Sequence, residues 1–265
     1  MYRQYANGTV NAAVVGYGPP LFLFHSLLSD RASFDAIAPE LSQSFRVIIP
    51  ELPGFGRSQA VAGGLAEIAD RMAEVVKDAT SGDRDAIVLG NGYGGFVALQ
   101  MAIRHPGIAA RLILADCGAV FSDAGRQAFR NMAAASHAKG LPAITDVAML
   151  RLFAPDFQEA NPELMHDRRA AFLKTNPDVF QAACAQLATL DLRPELSNVA
   201  VPVLVMVGEH DEATPPSMSH ALAEGLPSAR LKIIPGCAHV PQLQSPRLFL
   251  DVIGDFLPVT SAATA

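Results

Sequence analysis

The sequence has few cysteines, no excess of positive charge and no long apolar run. Its three cysteines, Cys117, Cys184 and Cys237, cannot all pair with one another and are not spaced as metal ligands. We therefore expect a reduced, cytoplasmic chain without a bound metal. The formal net charge of −6 gives no support to nucleic-acid binding and favours a solvated acidic surface.

Membrane and targeting segments are also missing from the sequence. No stretch approaches the roughly 18 consecutive apolar residues that a membrane-spanning helix needs. The first 20 residues contain polar, glycine and proline positions that interrupt any signal-peptide core. Neither glycine-rich stretch, PGFGRS or GNGYGG, has the Gly-Lys-Ser/Thr sequence of a phosphate-binding loop. We therefore predict a protein that does not bind a membrane and needs no cofactor.

The composition predicts a folded α/β domain. The chain has 265 residues, of which 50% are hydrophobic and 17% are charged, enough to bury one large core. Short apolar stretches bounded by turn residues alternate with segments whose apolar residues recur at helical spacing. This alternation indicates right-handed crossovers and a parallel sheet. The predicted strands are residues 20–25, 45–49, 86–90, 111–116, 201–208 and 229–235.

Residues 121–190 interrupt this alternation. They contain segments with helical patterns, separated by proline and glycine, and no convincing strand. We interpret residues 1–120 and 191–260 as the core of the domain, and residues 121–190 as a helical lid over one edge of the sheet. Residues 261–265 are predicted to be a flexible tail.

The segment GNGYGG (90–95) has the spacing of a nucleophile elbow except at its centre. Such an elbow is a sharp strand-to-helix turn of the pattern G-x-S-x-G, whose small residues let the helix pack close to the strand. The apolar strand AIVLG precedes the turn, and the helical pattern GFVALQMAIRH continues from it. Position 92 is glycine, so the predicted nucleophile position is vacant.

An acid and a histidine follow the elbow, each just after an apolar strand. Asp211 lies in VGEHDEATPP, and His239 lies in GCAHVPQLQSP. The order elbow, acid, histidine is that of the catalytic triad in α/β-hydrolases. In such a triad the carboxylate orients the imidazole, and the imidazole acts as the base. Asp211 and His239 are therefore predicted to be catalytic.

On these motifs the chain is identified as a member of the α/β-hydrolase superfamily, and it most resembles the 3-oxoadipate enol-lactonases. FHSLLSD (24–30), ELPGFGRS (51–58) and RLFAPDF (151–157) are similar to loop and lid segments of those enzymes. Leu152 stands where they have a tryptophan, a residue that this chain lacks altogether. The resemblance implies a mostly parallel sheet of about eight strands, flanked by helices and covered by a helical lid. It also implies a carboxylic ester or lactone hydrolase.

The resemblance assigns further roles to residues around the elbow. The backbone N–H groups of Leu27 and Tyr93 would form the oxyanion hole, which needs no nucleophile side chain. Ser26, Arg151 and Phe153 would contact the substrate. Arg151 could bind a substrate carboxylate through paired hydrogen bonds, or it could be an ordinary solvated helix residue. The substrate is thus expected to be a small molecule, and a carboxylate-bearing ester or lactone if Arg151 faces inward.

Three interpretations of Gly92 remain open. The chain could be an inactivated variant of a protein that has serine here. Glycine could be natural, with His239, held by Asp211, activating a water in the space of the missing side chain. The same histidine could move a proton on the substrate directly, including in cofactor-free C–C bond chemistry. The pocket could instead bind a small molecule without turnover. Catalysis is favoured, because an Asp–His pair has no chemical use in a binding protein.

Cys117 follows the predicted strand 111–116, at the sheet edge where ligands collect in parallel sheets. A thiol there could be mistaken for a substitute nucleophile. We favour burial as a small apolar residue, because no histidine near it in the sequence would lower its pKa.

Overall fold

An eight-stranded sheet forms the centre of the protein, whose computed structural model describes residues 1–83 and 85–258. Its strands, in chain order, are β1 (Tyr2–Tyr5), β2 (Val10–Val15), β3 (Pro20–Phe24), β4 (Arg46–Pro50), β5 (Ile87–Asn91), β6 (Arg111–Ala115), β7 (Val203–Gly208) and β8 (Ala229–Ile234). The order across the sheet is β1-β2-β4-β3-β5-β6-β7-β8. The β1–β2 and β2–β4 pairs are antiparallel, and all other neighbours are parallel. The predicted, mostly parallel eight-stranded sheet is confirmed.

The central strands are buried on both faces, because alternate residues enter two different apolar clusters. In β3, Phe22 and Phe24 pack into the cluster on one face. Leu21 and Leu23 pack into the cluster on the other face. All residues of β5 are buried in the same way. Burial on both faces explains why these strands are continuous apolar runs in the sequence.

The sequence does not predict β1 and β2, the two strands at one end of the sheet. Three of the four residues of β1 are exposed, and both β1 and β2 contain polar residues. An antiparallel strand with one solvated face lacks the continuous apolar run of a buried parallel strand. The pattern of apolar runs therefore identifies six strands and misses β1 and β2.

Helices cover both faces of the sheet. In chain order they are α1 (Ala38–Leu41), α2 (Leu65–Thr80), α3 (Tyr93–Arg104), α4 (Asp123–Lys139), α5 (Thr145–Leu152), α6 (Pro155–Ala160), α7 (Pro162–Phe172), α8 (Pro177–Thr189), α9 (Pro216–Gly225), α10 (Pro241–Gln244) and α11 (Pro246–Gly254). α2, α3 and α9 contribute to one apolar cluster, and α1 and α11 contribute to the other. Short 3-10 turns occupy Arg31–Phe34, Leu141–Ile144 and Arg193–Asn198.

Between β6 and β7 the chain forms a helical segment, residues 121–190, which contains α4 to α8 and no strand. The two ends of this segment meet at its base. The backbone N–H of Leu192 donates to the carbonyl of Ala119 at 2.8 Å, and Val120 forms an antiparallel bridge with Asp191. The segment therefore leaves and re-enters the core at one place.

Side-chain contacts connect the helical segment to the start of α3 and to the loop after β3. The Tyr93 hydroxyl donates to Gln186 Oε1 of α8 at 2.8 Å. Arg168 of α7 forms an ion pair with Asp30 at 2.9 Å. These two contacts hold the helices beside the edge of the sheet that carries the elbow.

Residues 259–265 lie outside the described residues, so the predicted tail and the last two residues of the predicted core are not described. Within residues 1–83 and 85–258, no helix combines the length and the apolar character that crossing a membrane requires.

Candidate active site

Gly92 forms the turn between β5 and α3. Its φ of 54° and ψ of −119° lie in a region that favours glycine. The neighbouring glycines serve close packing, since a Cβ on Gly94 would collide with the backbone of Phe24 in β3. Residues 90–95 thus have the strand–turn–helix geometry of a nucleophile elbow.

His239 and Asp211 form a buried pair. His239 Nδ1 donates to Asp211 Oδ2 at 2.9 Å, and the Thr214 hydroxyl donates to the same oxygen at 2.6 Å. The backbone N–H groups of Ala213 and Thr214 donate to Asp211 Oδ1 at 2.8 and 3.0 Å. Because Asp211 accepts the proton on Nδ1, Nε2 is the ring nitrogen left free to act as a base.

The pKa values of two buried carboxyl groups, Asp211 and Asp116, are shifted in opposite directions. Burial by itself raises the pKa of Asp211, but the charge of His239 and hydrogen bonds from His239 and Thr214 lower it below its usual value. Asp116, which follows β6, has a raised pKa because it is fully buried and faces the charge of Asp211. The pKa of Asp211 is therefore shifted down and that of Asp116 is shifted up.

Asp116 and Asn91 connect the elbow to the loop that carries His239. Asn91 Nδ2 donates to Asp116 Oδ2 and to the His239 carbonyl, each at 3.0 Å. The N–H of Gly208 donates to Asp116 Oδ1 at 2.9 Å, and Gln242 Nε2 donates to Asn91 Oδ1 at 3.0 Å. Sequence analysis missed both residues. The one available signal was a polar residue at the end of β5 and another directly after β6.

His239 Nε2 faces Ser26. The Ser26 hydroxyl lies 3.5 Å from Nε2, and both residues are buried. A Cβ on Gly92 would lie 2.5 Å from Ser26 Oγ, 3.0 Å from Ser26 Cβ and 2.8 Å from Nε2. Ser26 and the imidazole therefore crowd the space of the missing side chain. A side chain at position 92 would require Ser26 or the imidazole to move.

Gly92→Ala is expected to lower the free energy of unfolding by about 1–3 kcal/mol. The φ of position 92 is unfavourable for any residue with a side chain, and the added methyl group would crowd Ser26. Urea unfolding measures this loss. In a Ser26→Gly background, which removes the crowding atoms, the loss should be smaller by about 1 kcal/mol. An equal loss in both backgrounds would contradict the contact between the two positions.

A small cavity of about 30 Å³ lies between the elbow and the helical segment. It brings together Ser26, Leu27, Gly92, Tyr93, Arg151 and His239 from the predicted site, and Asp211 lies behind His239. The remaining lining residues are Leu28, Phe96, Phe121, Phe129, Leu187, Ala213 and Thr214. Within the described residues, the backbone N–H groups of Leu27 and Tyr93 donate to no protein acceptor.

Arg151 reaches the cavity and Phe153 does not. The Arg151 guanidinium lies over the Phe129 ring, 5.4 Å from its centroid, and donates to the Ala213 carbonyl at 3.5 Å. Burial lowers the pKa of Arg151. Phe153, expected from the resemblance to contact the substrate, is fully buried outside the cavity lining. It follows the last residue of α5, and its ring stacks on Phe157 at 5.3 Å.

Cys117 is a buried apolar residue, as favoured from the sequence. Burial, together with the nearby Asp116 carboxyl, raises the pKa of its thiol, which opposes formation of a thiolate. Cys117 does not line the cavity. Across residues 1–83 and 85–258, no group of three or more His, Cys, Asp or Glu side chains is placed to hold a metal ion.

Known proteins with similar sequences are hydrolases. A sequence model of the Alpha/beta hydrolase family matches residues 21–252. The chain belongs to this family. A pimeloyl-[acyl-carrier protein] methyl ester esterase of Nitrosomonas europaea is 28% identical over 92% of this chain and 97% of its own length. A 2-hydroxymuconate semialdehyde hydrolase of a Pseudomonas species is 29% identical over 94% of this chain and 90% of its own length.

Solved structures of other members share the fold of this hydrolase. An enol-lactonase from Burkholderia xenovorans superposes with a TM-score of 0.88 at 24% identity, covering 97% of this chain and 99% of that one. A thermophilic esterase from Thermogutta terrifontis has a TM-score of 0.85 at 27% identity and covers 97% of both chains. The α/β-hydrolase fold inferred from the motifs is confirmed, and the expected hydrolase activity agrees with the sequence relatives.

Proposed function

We propose that this hydrolase cleaves small carboxylic esters or lactones in the cavity beside Gly92. The proposal depends on the buried pair in which Asp211 holds His239 by a 2.9 Å hydrogen bond, while the imidazole lines the cavity. An imidazole oriented in this way can take a proton from an attacking oxygen and then give it to the leaving group. Asp211 stabilises the imidazolium that exists between these two steps.

The backbone amides at the cavity are the proposed oxyanion site. Attack on an ester carbonyl places negative charge on its oxygen, and hydrogen-bond donors that are already oriented stabilise that charge. The N–H groups of Leu27 and Tyr93 have no protein acceptor in the described part of the chain. Tyr93 is the first residue of α3, so the positive end of the helix dipole adds to its effect.

Arg151 is the proposed binding group for a substrate carboxylate. It lines the cavity, and no Asp or Glu lies within ion-pair distance of it in residues 1–83 and 85–258. A partly desolvated cation without an anionic partner is unfavourable, and a bound carboxylate would remove that cost by accepting paired hydrogen bonds. Because Arg151 belongs to residues 121–190 and would contact the substrate, this helical segment is the proposed lid over the cavity.

Arg151→Met is expected to raise KM for a carboxylate-bearing ester by about 10- to 100-fold, because it removes one charge-assisted contact. KM for the matching uncharged ester should change by less than about threefold. Arg130→Met is the matched control, since Arg130 is an exposed arginine of α4 and does not line the cavity. Equal effects on charged and uncharged esters would contradict the assigned role.

A panel of short-chain aryl esters and enol-lactones, each with and without a carboxylate, tests the proposed function. We expect turnover by the unmodified chain and products that contain one added water, identified by mass spectrometry. Carboxylate-bearing members should be preferred. If panel members raise the melting temperature but none is converted, the protein is a non-catalytic binding protein. Conversion without added water would instead indicate proton-transfer or C–C bond chemistry at His239.

A further inference from the structure

We propose that Ser26 is the nucleophile of this hydrolase, supplied by the loop after β3 in place of the elbow residue. This inference rests on the proposed ester or lactone hydrolysis. Ser26 Oγ lies 3.5 Å from His239 Nε2, and neither atom has another hydrogen-bond partner within the described residues. Asp211, His239 and Ser26 therefore form one continuous chain of acid, imidazole and hydroxyl.

The strand register explains how a hydroxyl from another strand reaches this place. β3 and β5 are adjacent and parallel, and Phe24 pairs with Gly90. Two residues further along each strand, Ser26 and Gly92 therefore lie at the same level of the same sheet edge. The chain order serine, acid, histidine is also retained, since Ser26 precedes Asp211 and His239.

Glycine at position 92 leaves room for this arrangement. A Cβ there would lie 2.5 Å from the Ser26 hydroxyl oxygen. A side chain at 92 would therefore require the Ser26 hydroxyl to move from its present place.

The loop holds Ser26 firmly in this place. His25 Nδ1 donates to the Ser26 carbonyl at 2.9 Å, and His25 Nε2 accepts from the Leu52 N–H at 3.1 Å. The Ser29 N–H also donates to the Ser26 carbonyl, at 3.3 Å.

The oxyanion site also suits attack by Ser26. In an elbow, the amide of the residue after the nucleophile helps to form the oxyanion hole. Leu27 follows Ser26 just as Tyr93 follows Gly92, and all four residues line the same cavity. An oxyanion formed by Ser26 attack would therefore lie in the cavity that Leu27 and Tyr93 line.

The reaction follows from these positions. Ser26 Oγ attacks the carbonyl carbon and its proton passes to His239 Nε2, while the carbonyl oxygen becomes an oxyanion at the Leu27 and Tyr93 amides. The C–O bond to the leaving group then breaks, and His239 protonates the leaving oxygen. A water, deprotonated by His239, attacks the acyl-Ser26 ester. The acyl C–Oγ bond then breaks, and His239 returns the proton to Ser26 Oγ as the acid is released. The first step requires the 3.5 Å contact to shorten to about 2.8 Å, as such contacts do when substrate binds.

Covalent labelling tests the assignment directly. The unmodified chain is incubated with an alkyl p-nitrophenyl phosphonate, and the modified peptide is mapped by mass spectrometry. We expect one adduct, on Ser26, that is lost in Ser26→Ala and in His239→Gln. Ser29→Ala is the matched control and should label like the unmodified chain, because Ser29 lies on the same loop and its buried hydroxyl has no partner among the described residues.

Turnover of the ester panel separates this inference from the proposed function. Ser26→Ala should lower kcat at least about a hundredfold. Ser26→Cys should be alkylated by iodoacetamide faster than Ser26→Cys/His239→Gln, which tests the contact with the imidazole even if the alanine variant folds poorly. Gly92→Ser should not raise turnover, because it crowds Ser26.

Three results would overturn the assignment. Ester hydrolysis that depends on His239 but survives Ser26→Ala, with Ser26 unlabelled, would mean that water attacks directly; the proposed function would stand. A large gain from Gly92→Ser would mean that position 92 is the nucleophile position of an inactivated chain. Neither turnover nor labelling in the unmodified chain would overturn both proposals. Labelling of Ser26 without turnover of any panel member would support the nucleophile and reject only the proposed substrate class.

Discussion

His239→Gln is expected to lower kcat/KM for ester hydrolysis by at least about a thousandfold, since a positioned general base contributes roughly 10²- to 10⁴-fold and this imidazole serves both proton transfers. Glutamine can keep a hydrogen bond to Asp211 Oδ2, but its amide accepts no proton at neutral pH. The base is therefore lost while the polar contact in the buried site can remain. Steady-state kinetics on the best ester of the panel provides the measurement.

His210→Gln is the matched control for this variant. His210 is exposed, lies next to Asp211 in the sequence and does not line the cavity. The His210→Gln substitution should change kcat/KM by less than about twofold. Melting temperatures of both variants show whether the chains remain folded. A folded His239→Gln protein that retained a tenth of the activity would exclude the imidazole as the base.

Asp211→Asn is expected to lower kcat by about 10³- to 10⁴-fold, a larger loss than its small change in shape suggests. Two backbone N–H groups donate to Oδ1, so the asparagine oxygen is held there and its NH2 group faces His239. Nδ1 must then accept a hydrogen bond, which moves the ring proton to Nε2. The imidazole would remain in place as the wrong tautomer.

Glu212→Gln controls for the loss of one negative charge beside Asp211. Glu212 is exposed and adjacent in the sequence, so we expect its activity to be nearly unchanged. Nuclear magnetic resonance of the His239 ring nitrogens should show the proton on Nδ1 in the unmodified chain and on Nε2 in Asp211→Asn. An unchanged tautomer with unchanged kcat would show that Asp211 has only a structural role.

The variants His239→Gln and Asp211→Asn and the labelling of Ser26 test different parts of one site. Loss of activity in both variants would establish the Asp211–His239 pair without identifying the attacking oxygen. The adduct on Ser26 identifies that oxygen. Together they discriminate a catalytic chain with a relocated hydroxyl from a protein that merely retains the pair.

Much of the fold was predictable because its signals are local. Buried parallel strands are continuous apolar runs, and helices carry apolar residues at helical spacing, so six strands and the helical character of residues 121–190 were identified. The short helix α6 (Pro155–Ala160) was not predicted. The glycines of residues 90–95 are required by a tight turn and close packing, both of which depend on neighbouring residues. β1 and β2 were missed because a solvated strand face leaves no such run.

Some residues of the candidate site were likewise predictable from the sequence, and others were not. Asp211 and His239 were identified because each follows a predicted strand in the order of a known motif, and the structure joins them at 2.9 Å. The sequence alone could not tell whether Arg151 or Phe153 enters the cavity. The end of α5 and the packing of Phe153 on Phe157 decide that question.

By itself the sequence determined a parallel α/β sheet, a tight glycine turn without a hydroxyl, and an acid and a histidine at later strand ends. Only the tertiary structure decided which hydroxyl meets His239, because Ser26 is 213 residues away along the chain. The β3–β5 register places Ser26 beside Gly92, and the loop after β8 brings His239 to the same place. Only the tertiary structure likewise reveals the raised pKa of Asp116, because this shift comes from burial and from Asp211, which lies far from it in the sequence. Contacts between distant segments leave no periodic signal in either segment, since each depends on how both pack.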